Sequence, residues 1–137
     1  MSEADDFNAR IVEEFRANEG RVGGMFEGRP MALLTTTSRK TGKKRTNPLM
    51  YLRDGDRVFV FASWGGAPRD PGWYRNVVAH PDVEVEVGTE RYPARATVVT
   101  GEERDRLYAK QAETWPQFAE YQEKTDRVIP VVALERR

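Results

Sequence analysis

The sequence predicts a mainly β, antiparallel fold of about six strands with flanking helices, its sheet closed into a small barrel. Three observations carry that reading. Strand-like runs recur along the chain and are separated by short turn signals such as Asp54-Gly55-Asp56, which favour antiparallel neighbours. The run Val58 to Ala62 is apolar at every position, as in a strand covered on both faces. Helical periodicity is confined to the N-terminus, one short central stretch and one stretch near the end, and closure of the sheet hides its edges.

The elements follow in order. Residues 1–20 read as a helix: Phe7, Ile11, Val12 and Phe15 share one face, Ser2 and Asp5 have capping-box spacing, and Gly20 is the stop. That face either closes one side of the core or touches a membrane surface or a greasy substrate. Residues 23–30 form a Gly-rich linker. Met31 to Thr37 is a strand, and the stretch from Arg39 to Lys44, with Gly42 inside it, is a hairpin turn. Asn47 to Arg53 is a second strand, with Pro48 near its start, where a missing N–H is tolerated. After the apolar strand and a Gly/Pro-rich loop from Gly65 to Gly72, Trp73 to Ala79 is a short helix stopped at His80-Pro81. Val83, Val85 and Val87 alternate with Glu84 and Glu86, predicting a strand with one wet face. Tyr92 to Thr100 is the next strand. Glu102 to Ala112 and Gln117 to Lys124 are helical, broken at Trp115-Pro116. Val128 to Leu134 is the last strand, and Pro130 predicts an edge or a bulge there.

Composition limits the chemistry. The chain of 137 residues fits one domain over 1–137, with no repeat or second unit. There is no Cys, which excludes disulfides, thiolate metal sites and a Cys nucleophile, and a single His, which argues against a His-rich metal site or a Ser/His/Asp triad. No apolar run approaches a membrane span, and the N-terminus lacks a signal-peptide core. A soluble, cytoplasmic protein is expected, peripheral contact with the inner face of the membrane being the alternative, and its chemistry is expected from a bound organic cofactor. Lys+Arg and Asp+Glu are both 22, which argues against diffuse nucleic-acid affinity. The balance conceals segregation: residues 1–20 carry net −4 and residues 29–57 net +6.

Four stretches hold chemistry-bearing residues. In Arg39-Lys40-Thr41-Gly42-Lys43-Lys44-Arg45 five of seven residues are basic and none is acidic. Side-chain cations and backbone N–H groups around a glycine suit phosphate or carboxylate; a solvated turn and a nucleic-acid contact are the alternatives, the last disfavoured by the absence of interleaved aromatics. Phe61-Ala62-Ser63-Trp64-Gly65-Gly66 ends a buried strand where glycines permit close approach, and Ser63 either hydrogen-bonds a ring heteroatom or caps the loop. Gly72-Trp73-Tyr74-Arg75-Asn76 offers a helix start and aromatic faces, with a plain core role for Trp73 as the alternative. Trp115, Phe118 and Tyr121 are spaced to share a helical face, as core or as a substrate wall.

The order TTTSRKTGKKRTNPLMYLRDGDRV, FASWGGAPRDPGWYRNVVAHPDVEVEVG, TDRVIPVV resembles the deazaflavin-dependent nitroreductase family of actinobacteria, split β-barrel proteins related to flavin-mononucleotide oxidoreductases. The resemblance spans about residues 22 to 134. It implies a split barrel, an oxidoreductase activity, and a bound 8-hydroxy-5-deazaflavin, coenzyme F420, with flavin mononucleotide as the alternative. It implies that Arg39, Lys40, Thr41 and Arg45 grip the anionic part of the coenzyme and that Thr46, Asn47, Pro48, Leu49 and Met50 run beside the ring. It places Phe61, Ala62, Ser63 and Trp64 against the ring from a neighbouring strand, and Gly72, Trp73, Tyr74, Arg75 and Asn76 over phosphate and ribityl portions. Nitro-drug-activating members carry Lys at the position of Trp64 and Tyr at those of Met50, Trp115 and Phe118. The acceptor wall of Met50, Trp115, Phe118 and Tyr121 therefore keeps one phenol, and Ser63 and Tyr121 are the weak catalytic candidates. The expected acceptor is a planar hydrophobic molecule such as a quinone, with a nitroaromatic as the other candidate and weak or no nitroimidazole reduction, the expected assembly is a monomer or homodimer, and a non-catalytic deazaflavin carrier is the remaining alternative.

Overall fold

The computed structural model describes residues 3–137 of the chain. Helix α1 (Glu3–Ala17) precedes strands β1 (Met31–Thr37), β2 (Lys44–Asp54) and β3 (Arg57–Phe61). Then come α2 (Gly72–Ala79), β4 (Asp82–Val87), β5 (Glu90–Val99), α3 (Gly101–Thr114), α4 (Gln117–Glu123) and β6 (Val131–Arg136). The strands close into an antiparallel barrel in the order β1-β2-β3-β6-β5-β4, as the sequence predicts.

Alternation explains the apolar runs. Ala32 and Leu34, Val58 and Val60, Val132 and Leu134, and Val83, Val85 and Val87 point into the barrel, where Trp73 and Val77 of α2 join them. Their neighbours face outward under helices: Met31 and Leu33 beneath Ile11 and Phe15 of α1, and Phe59, Phe61, Val131 and Ala133 beneath Leu107, Tyr108 and Phe118 of α3 and α4. Burial pushes the Tyr108 phenol up to about 12, and its hydroxyl donates to the Phe118 carbonyl, tying α3 to α4.

Several expectations are corrected. The face carrying Ile11, Val12 and Phe15 lies on the barrel, so it is not free for a membrane. The expected Ser2–Asp5 capping box lies outside the described residues. Glu86 is buried rather than wet, because α1 covers that side and Arg16 donates to it through Nε and Nη2 at 3.1 and 2.8 Å. Strand β6 lies between β3 and β5, and Pro130 precedes it rather than making an edge or bulge; its carbonyl accepts from the Ala62 N–H at 3.0 Å. No helix of the described residues is long and apolar enough to cross a membrane.

Gly20 serves as the expected stop and has a second role besides. The Gly20 N–H closes the helix end on the Phe15 carbonyl at 2.8 Å, and both Glu19, with φ 58°, and Gly20, with φ 94°, lie at positive φ. Gly20 is needed because a Cβ there would lie 2.6 Å from the Cα of Gly88, in the β4–β5 turn. Gly20→Ala is expected to cost about 2 kcal/mol or more through that overlap. Glu19→Gly is expected to gain about 0.5 kcal/mol, because relief of a left-handed conformation worth ~1–2 kcal/mol outweighs the added chain entropy. Thermal denaturation of the two variants checks both signs.

Candidate functional site

A cleft of about 850 Å³ opens beside the first half of β2. Hydrogen bonds from Tyr51 N to Pro30 O and from Ser38 N to Lys43 O fix which β2 residues face β1. By alternation, Thr46, Pro48 and Met50 turn their backbone groups away from β1. Strand β3 pairs with β2 only from Tyr51 onward, so this stretch is an open sheet edge along the cleft. Pro48 is tolerated there because its ladder position needs no N–H.

One end of the cleft is cationic. Arg39, Lys40, Thr41 and Arg45 line it, together with Ser38. The expected cradle of backbone N–H groups is corrected. Lys40 N and Thr41 N donate to Ser38 Oγ, Gly42 N to Ser38 O, Lys43 N to Thr41 Oγ1 and Arg39 N to Asn76 Oδ1. What the turn presents is its side chains, and Arg39, Lys40 and Arg45 have no ion-pair partner among the described residues. Asn76, buried on α2, also accepts from Arg39 Nη1 at 3.1 Å and donates to Thr36 Oγ1 at 3.1 Å. Its polar atoms are thus spent holding Arg39 in place.

The opposite wall begins where β3 ends. Ser63 lines the cleft and its side chain makes no capping bond, which removes the loop-cap reading. Trp64 follows at 61% exposure with φ 44°. At Gly65 an added Cβ would meet nothing within 4 Å, so its backbone is open to close approach, whereas at Gly66 a Cβ would lie 2.7 Å from the Tyr121 carbonyl. Arg127 locks this loop: Nε donates to Ala67 O at 2.8 Å, Nη1 to Ala62 O at 3.1 Å and to Asp70 Oδ1 at 2.9 Å, and Nη2 to Ser63 O at 2.9 Å.

Among the other expected residues, Asn47, Leu49, Met50, Phe61, Gly72, Trp73, Phe118 and Tyr121 line the cleft. Phe118 packs edge-on to Phe61 at 5.6 Å and to Tyr121 at 5.2 Å. Thr46, Ala62, Tyr74, Arg75 and Trp115 do not line it. The Thr46 hydroxyl meets Thr35 Oγ1 at 2.8 Å, Ala62 is buried, and Arg75 is exposed. Tyr74 packs edge-on to Trp73, and burial, with Asp70 nearby, raises its pKa. Trp115 lies behind the Arg29 guanidinium, 5.9 Å from ring centroid to Cζ. Sequence reasoning missed Asn8, Phe26 and Arg29, which α1 and the linker bring to the apolar end.

No acidic residue among the described ones lines the cleft. Barrel and cleft together define a split-barrel protein whose cleft joins a cationic end to an apolar, aromatic wall. The chain belongs to the F420H(2)-dependent quinone reductase family, whose family model matches residues 8–136, and it is an F420-dependent oxidoreductase. It is 44% identical over 127 residues to an F420H(2)-dependent quinone reductase of Mycobacterium tuberculosis, covering 90% of this chain and 85% of that protein. A solved F420-H2 dependent reductase (FDR-A) is 45% identical with a TM-score of 0.72, covering 78% of this chain and 95% of that one. A solved domain-swapped dimer is 39% identical with a TM-score of 0.73, covering 98% of this chain and all (100%) of that one.

Proposed function

We propose that this cleft holds reduced coenzyme F420 with its acidic tail on the basic turn, and that the enzyme reduces planar hydrophobic quinones there in preference to nitroimidazoles. The observation that carries this is the polarity of one cleft: among the described residues, it has cations without an ion-pair partner at the β1–β2 turn, an apolar and aromatic wall further in, and no carboxylate to repel an anion. The donor set fits the coenzyme. Arg39, Lys40 and Arg45 suit carboxylates and phosphate, and the open edge at Thr46 to Met50 and the bare backbone at Gly65 suit a flat polar ring.

The coenzyme, when bound, supplies a hydride, so the protein's work is placement. Arg39 and its partner Asn76 set the anchor point, and Lys40 and Arg45 add charge. The unspent Ser63 hydroxyl is a hydrogen-bond donor for charge on the ring. Met50, Phe61 and Phe118 bound the acceptor and exclude water. The Tyr121 hydroxyl, with no hydrogen bond to the protein among the described residues, is the one phenol positioned to give a proton.

Met50 and Phe118 carry no hydroxyl to orient a nitro group, and Trp115 stands off the cleft. Turnover of a menaquinone analogue and of a bicyclic nitroimidazole, each with reduced F420, tests the reading. Efficient quinone reduction with weak or no nitroimidazole reduction is expected. Efficient nitroimidazole turnover, or no quinone turnover, overturns it.

A further inference from the structure

We propose that Arg29, poised over Trp115 at the apolar end of the cleft, stabilises the negative charge that forms on the acceptor oxygen. This rests on the quinone reading above and assigns the acceptor side of that site an electrophile.

Four observations place Arg29 there. It lines the cleft with Phe26, Met31 and Met50, all apolar. Its guanidinium has no ion pair or side-chain hydrogen bond among the described residues, so its donors are unspent. Its position is nevertheless held: Cζ lies over the Trp115 ring at 5.9 Å, the Arg29 N–H donates to Phe26 O at 3.0 Å, and the adjacent Pro30 carbonyl accepts from Tyr51 N at 3.1 Å. Finally, Arg29 precedes β1 whereas Arg39 and Lys40 follow it, so the strand of seven residues sets them apart. That separation is roughly 20 Å, which gives Arg29 a task other than gripping the same end of the ligand.

The chemistry needs a donor at this place. In the transfer, the C–H bond of the reduced coenzyme breaks with its electron pair and an O–H bond forms on one quinone oxygen. The coenzyme is oxidised, the quinone gains two electrons and a proton, and its second oxygen is left as a phenolate until a proton reaches it from water or from Tyr121. A planar cation beside that oxygen, in apolar surroundings, favours the charged product side over the neutral quinone. Trp115 becomes a positioning residue that carries Arg29.

The test compares wild type, Arg29→Met and Arg29→Lys in three measurements: F420 affinity by titration, naphthoquinone turnover, and displacement binding of a neutral naphthoquinone against a hydroxynaphthoquinone that is anionic at neutral pH. Arg29→Met is expected to lower kcat/KM about 100-fold with F420 affinity unchanged, and to abolish the wild-type preference for the anionic ligand. Arg29→Lys is expected to recover part of both. Undiminished turnover in Arg29→Met overturns the proposal, and so does a loss of F420 affinity that accounts for the loss of turnover. A wild type that binds F420 but reduces no quinone removes the functional reading and this proposal together, whereas an active wild type matched by Arg29→Met removes this proposal alone.

Discussion

Arg127→Met is expected to destabilise the protein by about 3–5 kcal/mol. The Arg127 side chain is only 15% exposed and spends its guanidinium on the carbonyls of Ala62, Ser63 and Ala67 and on the Asp70 carboxylate. Methionine keeps much of the apolar stem but removes the donor from the Ala62 and Ala67 carbonyls and from the partly exposed Asp70 carboxylate, and leaves the Ser63 carbonyl only the Gly66 N–H at 2.9 Å. The planar fork serves four acceptors at once, which a single ammonium does not, so Arg127→Lys is expected to recover only a part of the loss. Urea denaturation, read as a lower midpoint at unchanged slope, measures it. The same loop presents Ser63, Trp64 and Gly65 to the cleft, so F420 affinity should fall in both variants even at temperatures where they stay folded. A lysine variant as stable as wild type would show that the fork is dispensable.

Charge reversal on the β1–β2 turn is the second large effect. Arg39→Glu and Lys40→Glu are each expected to weaken F420 binding by about 1–3 kcal/mol, the scale of a charge-assisted hydrogen bond. Arg39→Glu should be the more severe of the two, because Asn76 fixes the Arg39 guanidinium while the Lys40 side chain is exposed and has no hydrogen-bond partner among the described residues. Both sites lie at the surface, so wild-type affinity should also fall as salt is added. Titration of F420 beside flavin mononucleotide in wild type and both variants measures the effect and the coenzyme preference together. Unchanged affinity in both variants reassigns the turn to solvation.

Where local pattern carries the information, the sequence is a sufficient guide. Met31–Thr37 falls on its expected bounds because an apolar-to-β-branched run ends at a polar turn. The run at Val58 is apolar throughout because barrel and helices cover its two faces. Errors arise where partners are distant in the chain. Lys44 to Thr46 carry no apolar signal yet join β2 because they pair with Thr35 to Thr37. Glu86 reads as wet until α1 folds over it and supplies Arg16. The basic turn reads as a candidate anion site, but its backbone N–H groups are spent on Ser38, Thr41 and Asn76, a detail that depends in part on α2 coming alongside. Arg29 and Arg127 left no local signal as site residues: one is an ordinary base before a proline, the other one of many arginines, and each gains its place through tertiary contacts alone.

A crystal structure of the protein with F420 bound tests the central claim most directly. The account predicts the acidic tail among Arg39, Lys40 and Arg45, with the ring system between the open edge of β2 and the Ser63–Gly65 backbone. A coenzyme found with those three side chains in solvent and its ring outside the cleft would contradict it.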